Sequence, residues 1–229
     1  MKSTRQNLML KNILAAAVLG VTASVASAAI VVPPSLSPGD KYHLVFVTST
    51  TRNATSTNIL DYNAFVQAAA DNAGIGSGDG VDWFAIGSTQ TVAAKVNALI
   101  GATNLVFLLN GTTKVADGFT DMWDKTLDNK INRTELGATY SGAVWNGSRD
   151  DGAIPDWGSE WLGDVQAVVG NANAINMNWL DNGAQVRANL LPMYALSEEL
   201  TVPTVPEPGT MGLLGLASGA LLLRRRRKN

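Results

Sequence analysis

Acidic side chains are concentrated in the middle of the chain, where they could bind a cation. Five of them fall within one polar segment: Asp117, Asp121, Asp124, Asp128 and Glu135. Calcium takes about six to eight oxygen ligands, many of them carboxylates on irregular loops. We therefore consider Asp121, Asp124 and Asp128 as metal ligands, although their spacing is not that of an EF-hand. Asp side chains also cap turns, so a purely structural role is the alternative; no cofactor other than calcium is expected.

A second acidic cluster follows and offers a different chemistry. It contains Asp150, Asp151 and Asp156, with Glu160 and Asp164 further along. Two carboxyl groups about 5–10 Å apart hydrolyse glycosidic bonds in many glycosidases. A carboxylate-dependent hydrolase acting on extracellular polysaccharide is therefore the alternative function. Because acidic residues are common in exposed loops, we expect the chain not to be an enzyme.

The six tryptophans are the other residues with a chemical role to consider. Trp83, Trp145 and Trp179 lie in strand-like apolar runs, which predicts core positions. Trp157 and Trp161 lie in a segment rich in Gly and Asp. A large flat apolar face of this kind stacks on sugar rings, so we expect Trp157 and Trp161 to be the ligand-binding candidates.

Composition excludes several classes of function. The chain has no cysteine and one histidine, His43. Thiol catalysis, thiolate metal sites and multi-histidine zinc sites are therefore excluded. His43 lies in an apolar run, which predicts a strand histidine that faces outward or is hydrogen-bonded in the core. Residues 29–205 contain nine Lys or Arg against 18 Asp or Glu, a net charge of about −9, which disfavours nucleic acid as a partner.

Regular elements are predicted mainly in the first half. Residues 41–48 predict a strand, and apolar residues from Ile59 to Ala73 recur at helical spacing, with Ser56 or Thr57 as the cap and Gly74 as the stop. Residues 81–86 predict a second strand. Residues 91–100 predict a second helix, with Val92, Val96 and Leu99 on one face and Ser88 or Thr89 as its cap. Residues 105–109 predict a strand that ends at an Asn-Gly turn, with 114–116 returning beside it.

The second half is predicted to be rich in loops. Short strands are expected at 142–145 and 175–179, and a closing strand at 193–200 with Tyr194–Leu196 as its core. Helices early and short strands late predict an α+β fold with a small, mostly antiparallel sheet, long loops and no disulfides.

The order of several motifs adds a resemblance. FVTST (46–50), WFAIGST (83–89), NGTTKVADGF (110–119), DMWDKTLDNKINRTE (121–135), AVWNG (143–147) and MYALSEE (193–199) follow one another. This series resembles that of bacterial exported proteins of unknown function, whose element order is similar to the C-type-lectin-like fold. The resemblance implies that fold over roughly residues 42–199. The chain lacks the paired cysteines and the sugar-reading Glu-Pro-Asn or Gln-Pro-Asp tripeptide of such lectins.

The N-terminal residues predict export. Lys2, Arg5 and Lys11 precede an apolar run from Ile13 to Val25, and Ala26-Ser27-Ala28 fits the small-x-small cleavage rule. We expect residues 1–28 to be a signal peptide handled by the Sec machinery, so that the mature chain starts at Ala29.

The C-terminal residues predict sorting. The motif Pro206, Glu207 and Pro208 precedes an apolar run at 209–223 and then a basic stop, Arg224, Arg225, Arg226, Arg227 and Lys228. Fifteen helical residues cover about 22 Å, less than the ~30 Å hydrocarbon core, which favours a transient transmembrane helix with its cations in the cytoplasm. The segment resembles the PEP-CTERM signal of Gram-negative bacteria. That resemblance implies processing by an exosortase; a plain tail anchor is the alternative.

The expected organisation follows from these segments. We predict a signal peptide (1–28), a linker (29–40), one globular domain (41–202) and a sorting segment (203–229). The expected function is that of a non-catalytic binding or structural module in the cell envelope, on the cell surface or in an extracellular biofilm matrix. The expected partners are the export machinery, an exosortase-type enzyme, the membrane transiently through the C-terminus, and polysaccharide.

Overall fold

A computed structural model of the chain describes residues 30–156 and 158–204. The predicted signal peptide, the apolar run at 209–223, the basic stop and Trp157 lie outside these residues. The described part is a mixed α and β structure with few helices and two sheets of mostly antiparallel strands, in a chain without cysteine.

Nine strands and three α-helices make up the described part. The strands are β1 (Lys41–Val47), β2 (Trp83–Ala85), β3 (Leu105–Leu108), β4 (Lys114–Ala116), β5 (Ala143–Trp145), β6 (Gln166–Asn171), β7 (Ala184–Val186), β8 (Tyr194–Ser197) and β9 (Leu200–Thr201). The α-helices are α1 (Ile59–Asn72), α2 (Ala94–Asn97) and α3 (Phe119–Met122). Short 3-10 helices occur at Ser77–Asp79 and Met177–Trp179.

The larger sheet is centred on β1. Its strand order is β2-β8-β1-β3-β4, and β9 pairs with the start of β1. The pair β1–β3 is parallel, whereas β1–β8, β2–β8 and β3–β4 are antiparallel. Strands β5, β6 and β7 form a second, antiparallel sheet. The closing strand and the return of 114–116 beside β3 are thus confirmed.

Both faces of β1 are covered. Alternate side chains of a strand point to opposite faces of its sheet. Tyr42, Leu44 and Phe46 belong to a core cluster that includes residues of α1. Val45 and Val47 belong to a second cluster on the other face, which contains side chains from the loop-rich half. The sheet therefore separates two apolar cores, and side chains from the loop-rich half enter both of them.

Helix α1 matches its predicted span but not its predicted cap. The N-cap is Asn58, whose side chain accepts a hydrogen bond from the backbone N–H of Leu60. Ser56, one of the two predicted caps, instead bonds the backbone N–H of Asn58 and the carboxylate of Asp61. Asn is as good a capping residue as Ser, so the sequence alone did not distinguish them.

Three other predictions need correction. Helix α2 is a single turn, and its buried side is Ala94, with Ala98 beyond its end, while Val96 and Leu99 are exposed. The predicted strand at 175–179 ends instead in a 3-10 helix. Strands β6 and β7 lie in a part of the chain for which no strand was predicted. Short runs with little hydrophobic periodicity are weak evidence for a helix or a strand. Their structure is decided by pairing with other strands of the sheet.

Candidate functional site

Two of the three proposed metal ligands come together, with a third acid that the sequence analysis did not include among them. Among the described residues, the carboxylates of Asp117, Asp121 and Asp128 have oxygen atoms within 4.8 Å of one another. The one-turn helix α3 places Asp121 so that its Oδ2 accepts the backbone N–H of Asp117 at 2.7 Å. Asp128 is positioned by its own backbone N–H, which donates to the backbone carbonyl of Val115 in β4.

A lysine from β4 lies among these acids. The Nζ of Lys114 is 2.5 Å from Oδ1 of Asp117 and 3.0 Å from Oδ2 of Asp128. Hydrogen bonds to Asp117 and then Asp128 raise the pKa of Lys114 above its ordinary value. The ammonium therefore neutralises part of the charge that a bound cation would otherwise neutralise. Asp117 lies three residues after Lys114, so this ion pair is local in sequence.

Asp124 does not join this group. Its Oδ1 accepts the backbone N–H of Thr126 at 2.9 Å and the Thr126 hydroxyl at 2.8 Å, so it holds its own turn. Glu135 is also engaged elsewhere, because its carboxylate accepts the backbone N–H and the hydroxyl of Ser49 at the end of β1. The Asp124 contacts are the local side-chain to backbone bonds that Asp makes in turns, whereas Glu135 joins two segments that are far apart in sequence.

The second acidic cluster is paired with cations from several segments. The Nζ of Lys125 lies 2.7 Å from Oδ2 of Asp150. The Nζ of Lys95 in α2 lies 3.5 Å from Oδ2 of Asp151. Arg149 contacts Asp156 at 2.6 Å. Burial raises the pKa of Asp151, but the backbone N–H of Ala153 and the charges of Lys95 and Arg149 outweigh it and hold that pKa below its ordinary value. A general acid of a glycosidase needs a raised pKa, so Asp151 is poorly suited to that role.

Three tryptophans occupy the core positions predicted for them. Trp83, Trp145 and Trp179 are fully buried. The indole N–H of Trp83 donates to the carbonyl of Ile75 at 2.8 Å, and that of Trp145 donates to the carbonyl of Arg52 at 3.0 Å. Trp161 is half-buried.

Several motif residues form a buried polar network that joins distant segments. The hydroxyls of Ser88 and Ser148 lie 2.8 Å apart, and Ser88 Oγ accepts the backbone N–H of Ala94. The N-cap of α2 is Ala93, so the prediction of Ser88 or Thr89 as the cap is wrong, although Ser88 contacts the first residue of the helix from outside it. Asn146 donates to the carbonyl of Leu180 at 2.8 Å and accepts the backbone N–H of Ser148 at 2.8 Å. The network fixes the loops by satisfying backbone groups that burial would otherwise leave unpaired.

His43 is confirmed as a histidine hydrogen-bonded in the core. It is 1% exposed, and its Nδ1 donates to the carbonyl of Ser197 at 3.0 Å. Burial lowers the pKa of His43, although the carbonyls of Ser197 and Glu198 and the charge of Glu199 oppose this. A neutral imidazole locked between strands serves packing, and the sequence hypothesis of a structural role fits this geometry.

Comparison with family models identifies the C-terminal segment. Residues 204–228 match the PEP-CTERM protein-sorting motif. The matched range includes Pro206, Glu207 and Pro208 and the basic stop. The match supports export, sorting to the cell surface and recognition by an exosortase-type processing enzyme. No curated protein matches the chain.

Across the residues that the structure describes, none of the helices has both the length and the apolar character that crossing a bilayer requires.

Proposed function

We propose that the chain is an exported protein whose domain, residues 41–202, works as a non-catalytic binding or structural module on the cell surface or in the extracellular matrix. The PEP-CTERM match at 204–228 carries this proposal, because it supports export and surface sorting. The predicted signal peptide at 1–28 would start that route through the Sec machinery, and the apolar run at 209–223 would hold the chain in the membrane transiently.

The sorting step is tested on the motif itself. The chain with Pro206→Ala, Glu207→Ala and Pro208→Ala is expressed in a host that carries an exosortase, and its size and location are followed by immunoblot. We expect the variant to stay full-length in the membrane fraction, whereas the parent chain is shortened. Pro203→Ala, just outside the matched range, is the control. Normal shortening of the triple variant would show that the motif is not what the enzyme recognises.

A non-catalytic role is supported by the state of the acidic residues. Lys114 contacts Asp117 and Asp128. In the second cluster, Asp150, Asp151 and Asp156 contact Lys125, Lys95 and Arg149 respectively. Carboxylates engaged in this way hold loops together. The alternative hydrolase would require two acids that cooperate on a glycosidic bond, one of them with a raised pKa.

Polysaccharide is the binding partner that fits best. We propose the C-type-lectin-like fold for the domain, with Trp157 and Trp161 on its ligand-binding surface. The support is that Trp161 is only half-buried, and an exposed indole ring stacks on sugars. The acidic group around Lys114 is proposed to act as a structural clasp, with calcium binding by Asp121 and Asp128 as its alternative.

Binding is tested with the exopolysaccharide of the producing cell. We expect retention of the parent chain on the immobilised polysaccharide and loss of retention in Trp157→Ala and Trp161→Ala. Leu190→Ala is the control, since Leu190 is another exposed apolar side chain. Equal retention of all three variants would remove the tryptophans from the proposal, and release of reducing sugar would favour the hydrolase.

A further inference from the structure

A cavity with a largely apolar lining lies on the helix-covered face of the larger sheet. Its volume is about 320 Å³. Four segments supply its apolar lining: Ile30, Val31, Leu44, Ala73, Ile75 and Leu109. We propose that this cavity is a binding site for a small, uncharged, mainly apolar molecule. The proposal is independent of where sorting delivers the protein.

The lining fixes the chemistry of the ligand. Leu44 on β1 is buried, Ile75 just after α1 is 7% exposed, and Leu109 continues from β3. Protein interiors are normally packed with few voids larger than a water molecule. A cavity of about 150 Å³ with aliphatic and aromatic walls stays dry and holds benzene. The present cavity is about twice that size, enough for a molecule of about ten carbon atoms.

The polar residues of the lining explain why the ligand should be uncharged. The guanidinium of Arg133 donates to the carbonyl of Gly137 at 3.0 Å. The carboxylate of Glu135 accepts two hydrogen bonds from Ser49, and Asn110 Oδ1 accepts the backbone N–H groups of Thr112 and Thr113. Each of these side chains is engaged within the protein, and the two charges are of opposite sign. A charged ligand would lose its hydration on entering the cavity and would gain few hydrogen bonds or ion pairs in exchange.

The first described residues of the chain complete the wall. The hydroxyl of Tyr42 donates to the carbonyl of Val31 at 3.3 Å. At Gly111, a Cβ atom would come within 2.4 Å of Val31 Cγ1, and the φ angle is +67°. Gly111 therefore gives the Asn110-Gly111 turn its left-handed backbone and also lets Val31 pack against it. The N-terminal segment is thus positioned by specific contacts, which makes the cavity a defined feature of the fold.

The probe for this site is 1-octanol, which has an eight-carbon apolar body and no charge. Amide shifts of the exported chain are followed by nuclear magnetic resonance as the alcohol is added. We expect saturable shifts at Leu44, Ile75 and Leu109 and at the N-terminal wall. Octanoate and octylammonium should bind more weakly than the alcohol, because each carries a charge into an apolar space.

Filling the cavity provides the decisive variant. Ala73→Leu adds a larger side chain to the lining and should weaken 1-octanol binding at least tenfold. Ala68→Leu is the matched control, because the same substitution is made on the same helix at an exposed position outside the lining. Leu109→Trp serves in the same way if Ala73→Leu does not fold. The proposal is overturned if 1-octanol gives no saturable shifts at the lining residues, or if a folded filled variant binds it as well as the parent does.

Discussion

The two halves of the domain are held together by different interactions. The larger sheet with α1 buries apolar side chains on both faces of β1. The segment from residue 117 to residue 192 has short strands, and there buried polar side chains bond to the backbone, as Asn146 does with Leu180 and Ser148. Ion pairs such as Lys125–Asp150 add to this. A cysteine-free exported chain can thus fix long loops without disulfides, by satisfying their backbone groups from within.

The largest expected effect tests the apolar half. Leu196 in β8 is 0% exposed, so Leu196→Ala should lower the free energy of unfolding by about 2–5 kcal/mol, since it leaves a cavity. Leu60→Ala is the matched control, because Leu60 is 64% exposed and should change stability by less than about 0.5 kcal/mol. Urea unfolding measures both. Equal effects would mean that the sheet does not form the stabilising core.

The next effect tests the loop-rich half. Asn146→Ala removes a donor to the carbonyl of Leu180 and an acceptor for the N–H of Ser148. Each buried group left unpaired costs about 1–3 kcal/mol, so a loss of roughly 2–3 kcal/mol is expected by urea unfolding.

The control for that variant is Asn182→Ala, since Asn182 is exposed and should be nearly neutral. The contrast between the halves fails if Asn146→Ala is as mild as the control. The contrast gains support if Asn146→Ala also speeds the hydrogen exchange of backbone amides in residues 146–180 and leaves the amides of β1 protected.

A smaller effect concerns pH and the single histidine. The folded-state pKa of His43 is lowered by burial, so the unfolded chain takes up a proton more readily than the folded one. Stability is therefore full above the unfolded pKa of about 6.5 and falls as pH decreases below it. The slope for one group is at most about 1.4 kcal/mol per pH unit.

The measurement is the melting temperature between neutral and mildly acidic pH. We expect it to fall on acidification in the parent chain and to fall less in His43→Leu. The window should stay above the range in which carboxylates titrate, about pH 4–5. Identical slopes in the two proteins would show that His43 does not set the pH dependence.

The smallest effect concerns the clasp at Lys114. The side chains of Lys114, Asp117 and Asp128 are 35%, 54% and 44% exposed, and exposed pairs contribute about 0–1 kcal/mol. Lys114→Ala should therefore lower the melting temperature only slightly. It also leaves three converging carboxylates, so millimolar calcium should raise the melting temperature of the variant more than that of the parent.

Lys130→Ala is the matched control, because Lys130 bonds Asn173 and no acid in this group. If calcium and EDTA affect all three proteins equally, the acids do not form a cation site even without the lysine. If calcium stabilises the parent as strongly as Lys114→Ala, the ammonium is not a competitor and the calcium alternative gains support.

Much of the first half could be predicted because its signals are local. The helical spacing from Ile59 onward, the apolar run of β1 and the Asn110-Gly111 turn each depend on neighbouring residues. The strands β6 and β7 could not be predicted in this way. They belong to the separate small sheet formed with β5, and β7 has only three residues.

The sequence by itself determined where the protein goes, because a sorting signal is read as a short linear segment, and residues 204–228 carry it. It also determined which chemistries are absent, through the lack of cysteine and the single histidine. Only the tertiary structure decided that Lys114 lies among Asp117, Asp121 and Asp128, that Asp124 does not, and that Ile30 and Leu109 share a cavity. These groupings depend on contacts between segments far apart in the chain, and distances of a few ångströms between such segments are set by packing.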